Sequence, residues 1–275
     1  MKFVYESIVF VGFALLFVGC GYDIPTPQKR FETASIIAKQ NHLHQKIYKT
    51  RDFNIFSYST DLSKCKQKNL HIYIEGDGLS WITSSTVSDD PTPINPTALK
   101  LMVQDSSTCK LYLARPCQYT SSSQCSSQIW TSDRFSQEVI DSYDEVLDDL
   151  KAQKITLFGY SGGGAIATLL AAQRADIDEL ITIAGNLDIE FWAKMHYITP
   201  LSGSLNPADF ADKLESVKQI HLIGGDDEIV GMSVFDSYRN HFADESNIKF
   251  KVYKGFTHSC CWVKNWKETL KELGF

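Results

Sequence analysis

Short apolar runs recur along the chain and predict buried strands. Seven such runs are rich in aliphatic, β-branched or aromatic residues and are bounded by polar or turn residues. They lie at residues 53–58, 71–74, 111–114, 155–159, 180–184, 220–223 and 250–253. Helical patterns separate several of them. Alternating strands and helices predict an α/β fold, in which a mostly parallel central sheet carries helices on both faces.

Three of the helical patterns are distinct. Between Phe135 and Leu150 apolar residues recur every three or four positions, which is typical of one face of a helix. An apolar helix is predicted over 165–172, and an apolar stripe predicts a final helix from about Val263 to Leu273. In such sheets ligands bind at the carboxyl ends of the strands, so functional residues are expected in the loops that follow strands.

The N-terminus carries a different pattern. Lys2 precedes an apolar run over residues 8–18, which is too short to span a membrane and predicts a secretion signal. The run ends in Leu-Phe-Val-Gly-Cys at residues 16–20. This ending resembles the bacterial lipobox, although Phe17 stands where leucine is usual. An ordinary signal peptide and an uncleaved anchor remain alternatives.

The lipobox resemblance implies that residues 1–19 are removed and that Cys20 is acylated with a palmitate-type chain. Residues 20–50, which contain Pro25 and Pro27, are then expected to form a tether with a short helix near 29–40. The folded domain would occupy residues 51–275. Gly21 stands where an aspartate would favour retention in the inner membrane, so the expected location is the outer membrane, facing the periplasm.

The composition limits the classes of function that the chain can have. The chain has 275 residues, of which 43% are apolar and 22% charged, and its net charge is −6. This is an ordinary globular composition that can form one sizeable core. The absence of a lysine- or arginine-rich run in the sequence argues against nucleic-acid binding.

Six cysteines remain besides Cys20, and export would place them where disulfides persist. Six cysteines allow fifteen pairings, of which Cys117 with Cys125 is the favoured local pair. The adjacent Cys260 and Cys261 are expected to bond elsewhere, because a ring between neighbours is strained. A metal site is the alternative, but no second Cys/His cluster has ligand spacing. The prediction is no metal and no cofactor.

The segment Gly159-Tyr160-Ser161-Gly162-Gly163 lies between a predicted strand and a predicted apolar helix. A strand, a sharp turn with small residues and a helix together lift a serine hydroxyl clear of the sheet. The alternative is a phosphate-binding turn, but the G-x-G-x-x-G spacing and the Walker lysine are both missing. Ser161 is therefore the predicted nucleophile.

A serine hydroxyl needs a base to take its proton. Seven histidines are available, and His258 stands just after the last predicted strand. The strand over 220–223 leads into three acidic residues, of which Asp227 is the predicted partner of His258 and Asp226 the alternative. The acid would orient the imidazole and stabilise its charged form.

The elbow and the order serine, acid, histidine resemble those of the α/β-hydrolase superfamily of esterases and lipases, over about residues 50–275. The superfamily pattern G-x-x-D-x-x-V falls on Asp227. The resemblance implies an oxyanion hole formed by the backbone N–H groups of Gly162 and Asp77. Asp77 lies in Glu75-Gly76-Asp77-Gly78, at the place of the usual His-Gly-Gly-Gly loop.

Acidic residues thus replace a histidine and a glycine in this loop. The Asp77 side chain is expected to turn away from the oxyanion, and an ordinary tight turn is the alternative for the loop. The segment 186–212 follows the strand after the elbow, where this superfamily places lid insertions. Because the segment is short, a small lid and an open site are expected.

The predicted function is a membrane-anchored serine hydrolase that cleaves a carboxylic ester through an acyl-enzyme, with an amide or thioester as lesser alternatives. The partners would be a small-molecule or lipid ester and, through the lipid anchor, a membrane. Two other functions stay open: a non-catalytic envelope lipoprotein that keeps the fold, and an acyltransferase.

Overall fold

The computed structural model describes residues 24–275. The predicted signal segment 1–19 and the acylation site Cys20 lie outside the described residues. The strands are β1 (His44–Lys49), β2 (Asn54–Ser59), β3 (Asn69–Ile74), β4 (Lys110–Leu113), β5 (Lys154–Tyr160), β6 (Ile177–Ile183), β7 (Gln219–Gly224) and β8 (Ile248–Tyr253). The helices are α1 (Pro27–Gln40), α2 (Thr97–Met102), α3 (Gln137–Leu150), α4 (Gly162–Ala171), α5 (Ile189–Met195), α6 (Ala211–Leu214), α7 (Met232–Arg239) and α8 (Trp262–Leu273).

The eight strands form one sheet in the order β1-β2-β4-β3-β5-β6-β7-β8. β2 runs antiparallel to both of its neighbours, β1 and β4, and the other neighbouring pairs are parallel. Each of the seven strands predicted from the sequence is present, and so are the three helices predicted from apolar periodicity. The predicted α/β fold with a mostly parallel central sheet is confirmed.

Helices cover both faces of the sheet. On one face α3, α4 and α7 contribute buried residues such as Tyr143, Ile166 and Tyr238. On the other face α1, α2 and α8 contribute Ala34 and Trp266 among others. A strand buried on both faces needs apolar residues at nearly every position. This explains why the central strands read as continuous apolar runs rather than as alternating ones.

The segment expected to be a tether is part of the folded domain. The helix predicted near 29–40 is α1, but it packs on the sheet and buries Arg30, Ala34 and Ala38. β1 then pairs with β2 over six residues, from His44–Ser59 to Lys49–Asn54. The predicted boundary at residue 51 is therefore wrong. The fold already includes residue 27, because an edge strand and a helix that covers β2 precede that boundary.

Three disulfides are present in the described residues. The predicted pair Cys117–Cys125 is one, and Cys65–Cys109 joins the start of β3 to the start of β4. The third joins the neighbours Cys260 and Cys261, across a cis peptide bond. The expectation that these two would bond elsewhere is wrong, since the other four cysteines pair among themselves.

No helix within residues 24–275 is long and apolar enough to cross a membrane. No group of three or more histidine, cysteine or acidic side chains in the same range is placed to hold a metal ion.

Candidate active site

Ser161 stands at the turn between β5 and α4. Its backbone has φ 53° and ψ −120°, a conformation that side chains other than glycine seldom adopt. Close packing at the turn requires glycine on both sides. A Cβ on Gly159 would lie 2.4 Å from the Gly163 carbonyl oxygen, and one on Gly163 would lie 2.3 Å from the Ile74 carbonyl oxygen. The predicted strand–turn–helix elbow is thus the local structure around Ser161.

The structure brings the three side chains of the predicted triad together. His258 Nε2 lies 2.9 Å from Ser161 Oγ, and His258 Nδ1 lies 2.9 Å from Asp227 Oδ2. The histidine follows β8 and the aspartate follows β7, so both sit at the carboxyl edge of the sheet with the serine. In this arrangement Nε2 can take the hydroxyl proton while the carboxylate holds the ring.

The alternative acid, Asp226, is not in this arrangement. It is exposed, whereas the Asp227 side chain is fully buried against His258. The second oxygen of Asp227 accepts hydrogen bonds from the backbone N–H groups of Ile229 and Val230, at 2.9 and 2.8 Å. These bonds fix the carboxylate so that its other oxygen faces the imidazole.

The two predicted oxyanion donors lie beside the serine. Gly162 is the first residue of α4, and Asp77 lies in the loop after β3. Within residues 24–275 neither backbone N–H donates a hydrogen bond to another group. A Cβ on Gly162 would lie 2.0 Å from Asp77 Oδ1, so the two residues are in direct contact. Both N–H groups are therefore available to a ligand.

The Asp77 carboxylate is held by two arginines. Arg115 Nη1 lies 2.8 Å from Oδ1, and Arg134 Nη1 lies 2.5 Å from Oδ2. Arg115 also donates to the Arg134 carbonyl. Burial alone would raise the pKa of Asp77, but the two guanidinium charges outweigh it and hold the pKa below its ordinary value. We call Asp77, Arg115 and Arg134 the arginine clamp.

Comparison with known proteins agrees with this architecture. A sequence profile described as alpha/beta hydrolase fold matches residues 117–201, which include the elbow. No curated protein matches the chain significantly. Among solved structures, Est1E from Butyrivibrio proteoclasticus is similar with a TM-score of 0.59 and 16% identity, over 84% of this chain and 97% of that one.

Two further structures match to a similar degree. The naproxen esterase of Bacillus subtilis gives a TM-score of 0.59 at 11% identity, over 92% of this chain and 100% of the other. The Pyrococcus furiosus esterase Pf2001 gives 0.58 at 13% identity, over 85% and 93%. The chain has the α/β-hydrolase fold. At these sequence identities the structural similarity shows only the fold, and the chemistry has to be argued from the site itself.

Glu75 is the second acidic residue of the oxyanion loop in this α/β-hydrolase fold, and it is buried. Its Oε1 accepts hydrogen bonds from the N–H groups of Gly76 and Ala98, at 3.0 and 3.2 Å, and the Tyr112 hydroxyl donates to Oε2. Burial raises the pKa of Glu75 to about 7, and these hydrogen bonds oppose that rise. The side chain thus joins the oxyanion loop to α2 and β4.

A cavity of about 1190 Å³ opens over Ser161 and His258. One part of its wall is apolar and includes Ile94, Trp192 and Leu201. Another part is polar, and Arg134 of the clamp lines the cavity there. The short segment 186–212 contributes part of the wall and leaves the cavity open to solvent, as expected for a small lid.

Other histidines and tryptophans of the chain take no part in the contacts among Ser161, His258 and Asp227. His221 is buried in β7, where burial lowers its pKa to about 3, and its Nδ1 lies 2.7 Å from the Thr182 hydroxyl. His196 lines the cavity and contacts the Ile229 carbonyl at 2.9 Å. Trp81 lies at the cavity edge, whereas Trp130 donates to the Ser88 carbonyl outside it.

The arginine clamp was not predicted from the sequence. Arg115 directly follows the predicted strand 111–114, a position where functional side chains are expected, so a signal for it existed. Arg134 precedes a helix and has no such signal. Its role depends on Asp77, which is 57 residues distant in sequence.

Proposed function

We propose that the chain is a membrane-anchored serine hydrolase that cleaves carboxylic esters through an acyl-enzyme. The observation that carries the proposal is the hydrogen-bonded series Ser161, His258 and Asp227, with 2.9 Å at each step. A nucleophile within reach of a base, and a base oriented by a buried acid, is the arrangement that acyl transfer requires.

The reaction follows from this geometry. Ser161 Oγ attacks the ester carbonyl carbon while its proton passes to His258 Nε2. The negative charge that develops on the carbonyl oxygen is stabilised by the N–H groups of Gly162 and Asp77, each worth roughly 2.7–4 kcal/mol in sites of this kind. The alcohol leaves with the proton from His258. Water then repeats both steps on the acyl-enzyme and releases the acid.

The cavity supports an ester with an apolar acyl part. Ile94, Trp192 and Leu201 offer apolar surface in the same cavity as the serine, and burial of an acyl chain is favourable by about 0.8 kcal/mol per methylene. That the neighbours in fold include a carboxylesterase and other esterases supports the same reaction class. Amide and thioester bonds are the lesser alternatives.

A fluorophosphonate probe and a chain-length series of p-nitrophenyl esters test the chemistry. Wild-type protein should be labelled on Ser161 and should hydrolyse the esters, and Ser161→Ala should lose both activities. Equal ester turnover in the two proteins would reject Ser161 as the nucleophile. No label on folded wild-type protein would favour the non-catalytic lipoprotein, and esters formed with added alcohols would favour the acyltransferase.

The anchor is a separate part of the proposal. Residues 1–20 support acylation of Cys20 and a location in the outer membrane facing the periplasm. In a bacterial host the wild-type chain should fractionate with the outer membrane and carry radioactive palmitate. Cys20→Ala should lose the label. An unlabelled wild-type chain in the soluble periplasmic fraction would reject the anchor and leave the hydrolase proposal untouched.

A further inference from the structure

The outer edge of the cavity carries five exposed apolar side chains, which we call the mouth ring: Trp81, Ile82, Tyr197, Ile198 and Ile229. Their exposed fractions run from 41% for Ile198 to 97% for Tyr197. Nine large apolar side chains are exposed in the described residues, so more than half of them lie at this one edge. Apolar patches of this kind mark sites where a protein or a membrane binds.

The mouth ring is built by three separate loops. Trp81 and Ile82 follow β3, Tyr197 and Ile198 follow α5, and Ile229 follows β7. Four of the five line the same cavity, and the fifth, Ile82, is the chain neighbour of Trp81. Two hydrogen bonds to the Ile229 carbonyl, from Trp192 and His196, join the second loop to the third. The apolar side chains therefore surround one opening.

The N-terminal helix begins close to this opening. Arg30, in the first turn of α1, donates to the carbonyls of Asp90 and Thr92. The carbonyl between them, that of Pro91, accepts from the N–H of Leu79, two residues before Trp81. The start of α1 thus contacts the loop that carries part of the mouth ring.

The directions of the strands also place the start of α1 near this opening. β1 starts opposite Ser59, and Ser59 pairs with Leu111 near the start of β4. β1 therefore starts at the amino edge of the parallel strands, and α1, which leads into it, starts at the carboxyl edge. Cys20 precedes Pro27 by seven residues, which span at most about 25 Å when extended.

We propose that the mouth ring docks onto the lipid surface of the membrane that anchors the chain, so that the cavity opens directly onto the bilayer. This inference rests on the proposed anchor. An anchor at Cys20 holds the carboxyl edge within a short distance of the membrane, and that edge presents the exposed apolar side chains. Burying them in the interfacial region removes apolar surface from water.

The occupant is an uncharged or zwitterionic lipid surface. The chain has a net charge of −6, and exposed acidic residues such as Asp89 and Glu228 lie beside the mouth ring. Attraction to anionic lipids needs clustered lysine or arginine, so the contact is apolar rather than electrostatic. Docking should therefore persist at high salt, which would weaken a contact between charges.

Trp81 supplies a direct test on the full acylated chain. The chain is reconstituted into phosphatidylcholine vesicles whose acyl chains carry bromine, which quenches tryptophan on contact. Wild-type emission should be quenched, and most of that quenching should vanish in Trp81→Phe, because Trp262 and Trp266 are buried and Trp130 and Trp192 are only partly exposed. Equal quenching in both proteins, or none in either, would overturn the docking.

A matched pair of double variants makes the test specific. Ile82→Ser with Tyr197→Ser removes apolar side chains from the mouth ring, and Ile36→Ser with Val252→Ser removes exposed ones of 57% and 45% elsewhere. Only the first pair should reduce the quenching of Trp81. A reduction of the same size in both pairs would count against the mouth ring as the docking surface.

The outcomes separate docking from the proposals on which it rests. A chain that stays in the vesicles with unquenched Trp81 would overturn docking while keeping the anchor. A chain released from the vesicles would overturn both. If sizing showed that a second copy covers the mouth ring in the vesicles, protection of Trp81 from bromine would overturn docking onto lipid. Fluorophosphonate labelling reports on the serine independently in every case.

Discussion

Asp77 places a carboxylate beside the proposed oxyanion hole, and the two arginines of the clamp neutralise its charge there. Each carboxylate oxygen faces a guanidinium from a buried or nearly buried arginine. The side chain thereby turns toward the arginines while the backbone N–H stays free. The Asp77 side chain thus positions the loop, and the backbone N–H of the same residue is the proposed oxyanion donor.

Asp77→Asn tests this positioning. The amide keeps the shape but loses the charge that pairs with both arginines, so the loop should shift and the N–H should move from its place. Because an oxyanion contact forms only in the transition state, kcat and kcat/KM should fall together, by at least tenfold and at most about 10³-fold, with little change in KM. Steady-state kinetics on a soluble ester gives both constants.

Asp226→Asn is the matched control, because this aspartate is exposed and lies outside the clamp. It should keep wild-type kinetics. A rise in KM with unchanged kcat in Asp77→Asn would contradict the positioning role and would indicate lost substrate binding instead.

Glu75 makes stability depend on pH in an unusual direction. Burial raises its pKa from 4.5 to about 7, so between these values the folded chain keeps a proton that the unfolded chain has released. The resulting stability is fully present below pH 4.5 and is lost as pH rises through 7. The effect has an upper bound of about 3 kcal/mol.

Glu75→Gln should remove this dependence, since glutamine resembles the protonated acid and keeps an oxygen for the Gly76 and Ala98 N–H groups. The free energy of unfolding, measured by urea titration at about pH 5 and about pH 8, should change less in the variant than in wild type, with wild type losing more at the higher pH. Parallel pH profiles in the two proteins would show that Glu75 does not titrate in this range.

At the level of secondary structure, the strands at the centre of the sheet are the clearest in the sequence, because they are buried on both faces. β3 and β5 carry apolar residues in succession and need no tertiary context to be recognised. β1 lacks this signal, because five of its six residues are exposed and only Tyr48 is buried. The segment predicted to be a tether therefore contains an edge strand.

The candidate site likewise has one part that the sequence predicts and one part that it does not. Ser161, Asp227 and His258 each follow a strand that the sequence predicts, so their positions could be predicted from the chain order. The clamp could not, because it forms only when the loops after β3 and β4 and the segment before α3 meet. The bond between Cys260 and Cys261 also depended on where the other four cysteines lie.

Removing the supposed tether tests whether α1 and β1 belong to the fold. A chain that begins at residue 51 loses β1 and exposes the edge of β2, five of whose six residues are buried. An unpaired apolar edge strand is prone to aggregate. Compared with a chain that begins at residue 24, this chain should be insoluble or should unfold at a lower temperature in a thermal melt. Equal melting temperatures would restore the boundary at residue 51.

On the scale of the whole molecule, the described residues begin and end at opposite edges of the sheet. α1 starts at the carboxyl edge of the parallel strands, beside the mouth ring. α8 starts near His258, to whose carbonyl Trp262 donates, and extends 12 residues, or about 18 Å, away from it. Phe275 then packs against His71 in the first half of β3. Of the two ends of the described residues, only the start of α1 is therefore placed so that an anchor would turn the cavity toward a membrane.

Moving the anchor to the other end tests this polarity. A chain that begins at residue 24 and carries a lipid anchor after Phe275, through a seven-residue linker, keeps the same fold and a linker of natural length. Hydrolysis of a soluble p-nitrophenyl ester should match that of the N-terminally anchored chain, because the site is unchanged. Hydrolysis of a long-chain ester embedded in the same vesicles should fall several-fold, because the C-terminal anchor turns the mouth ring away from the bilayer. Equal turnover of the embedded ester by both chains would show that the orientation of the cavity does not limit its access to membrane substrates.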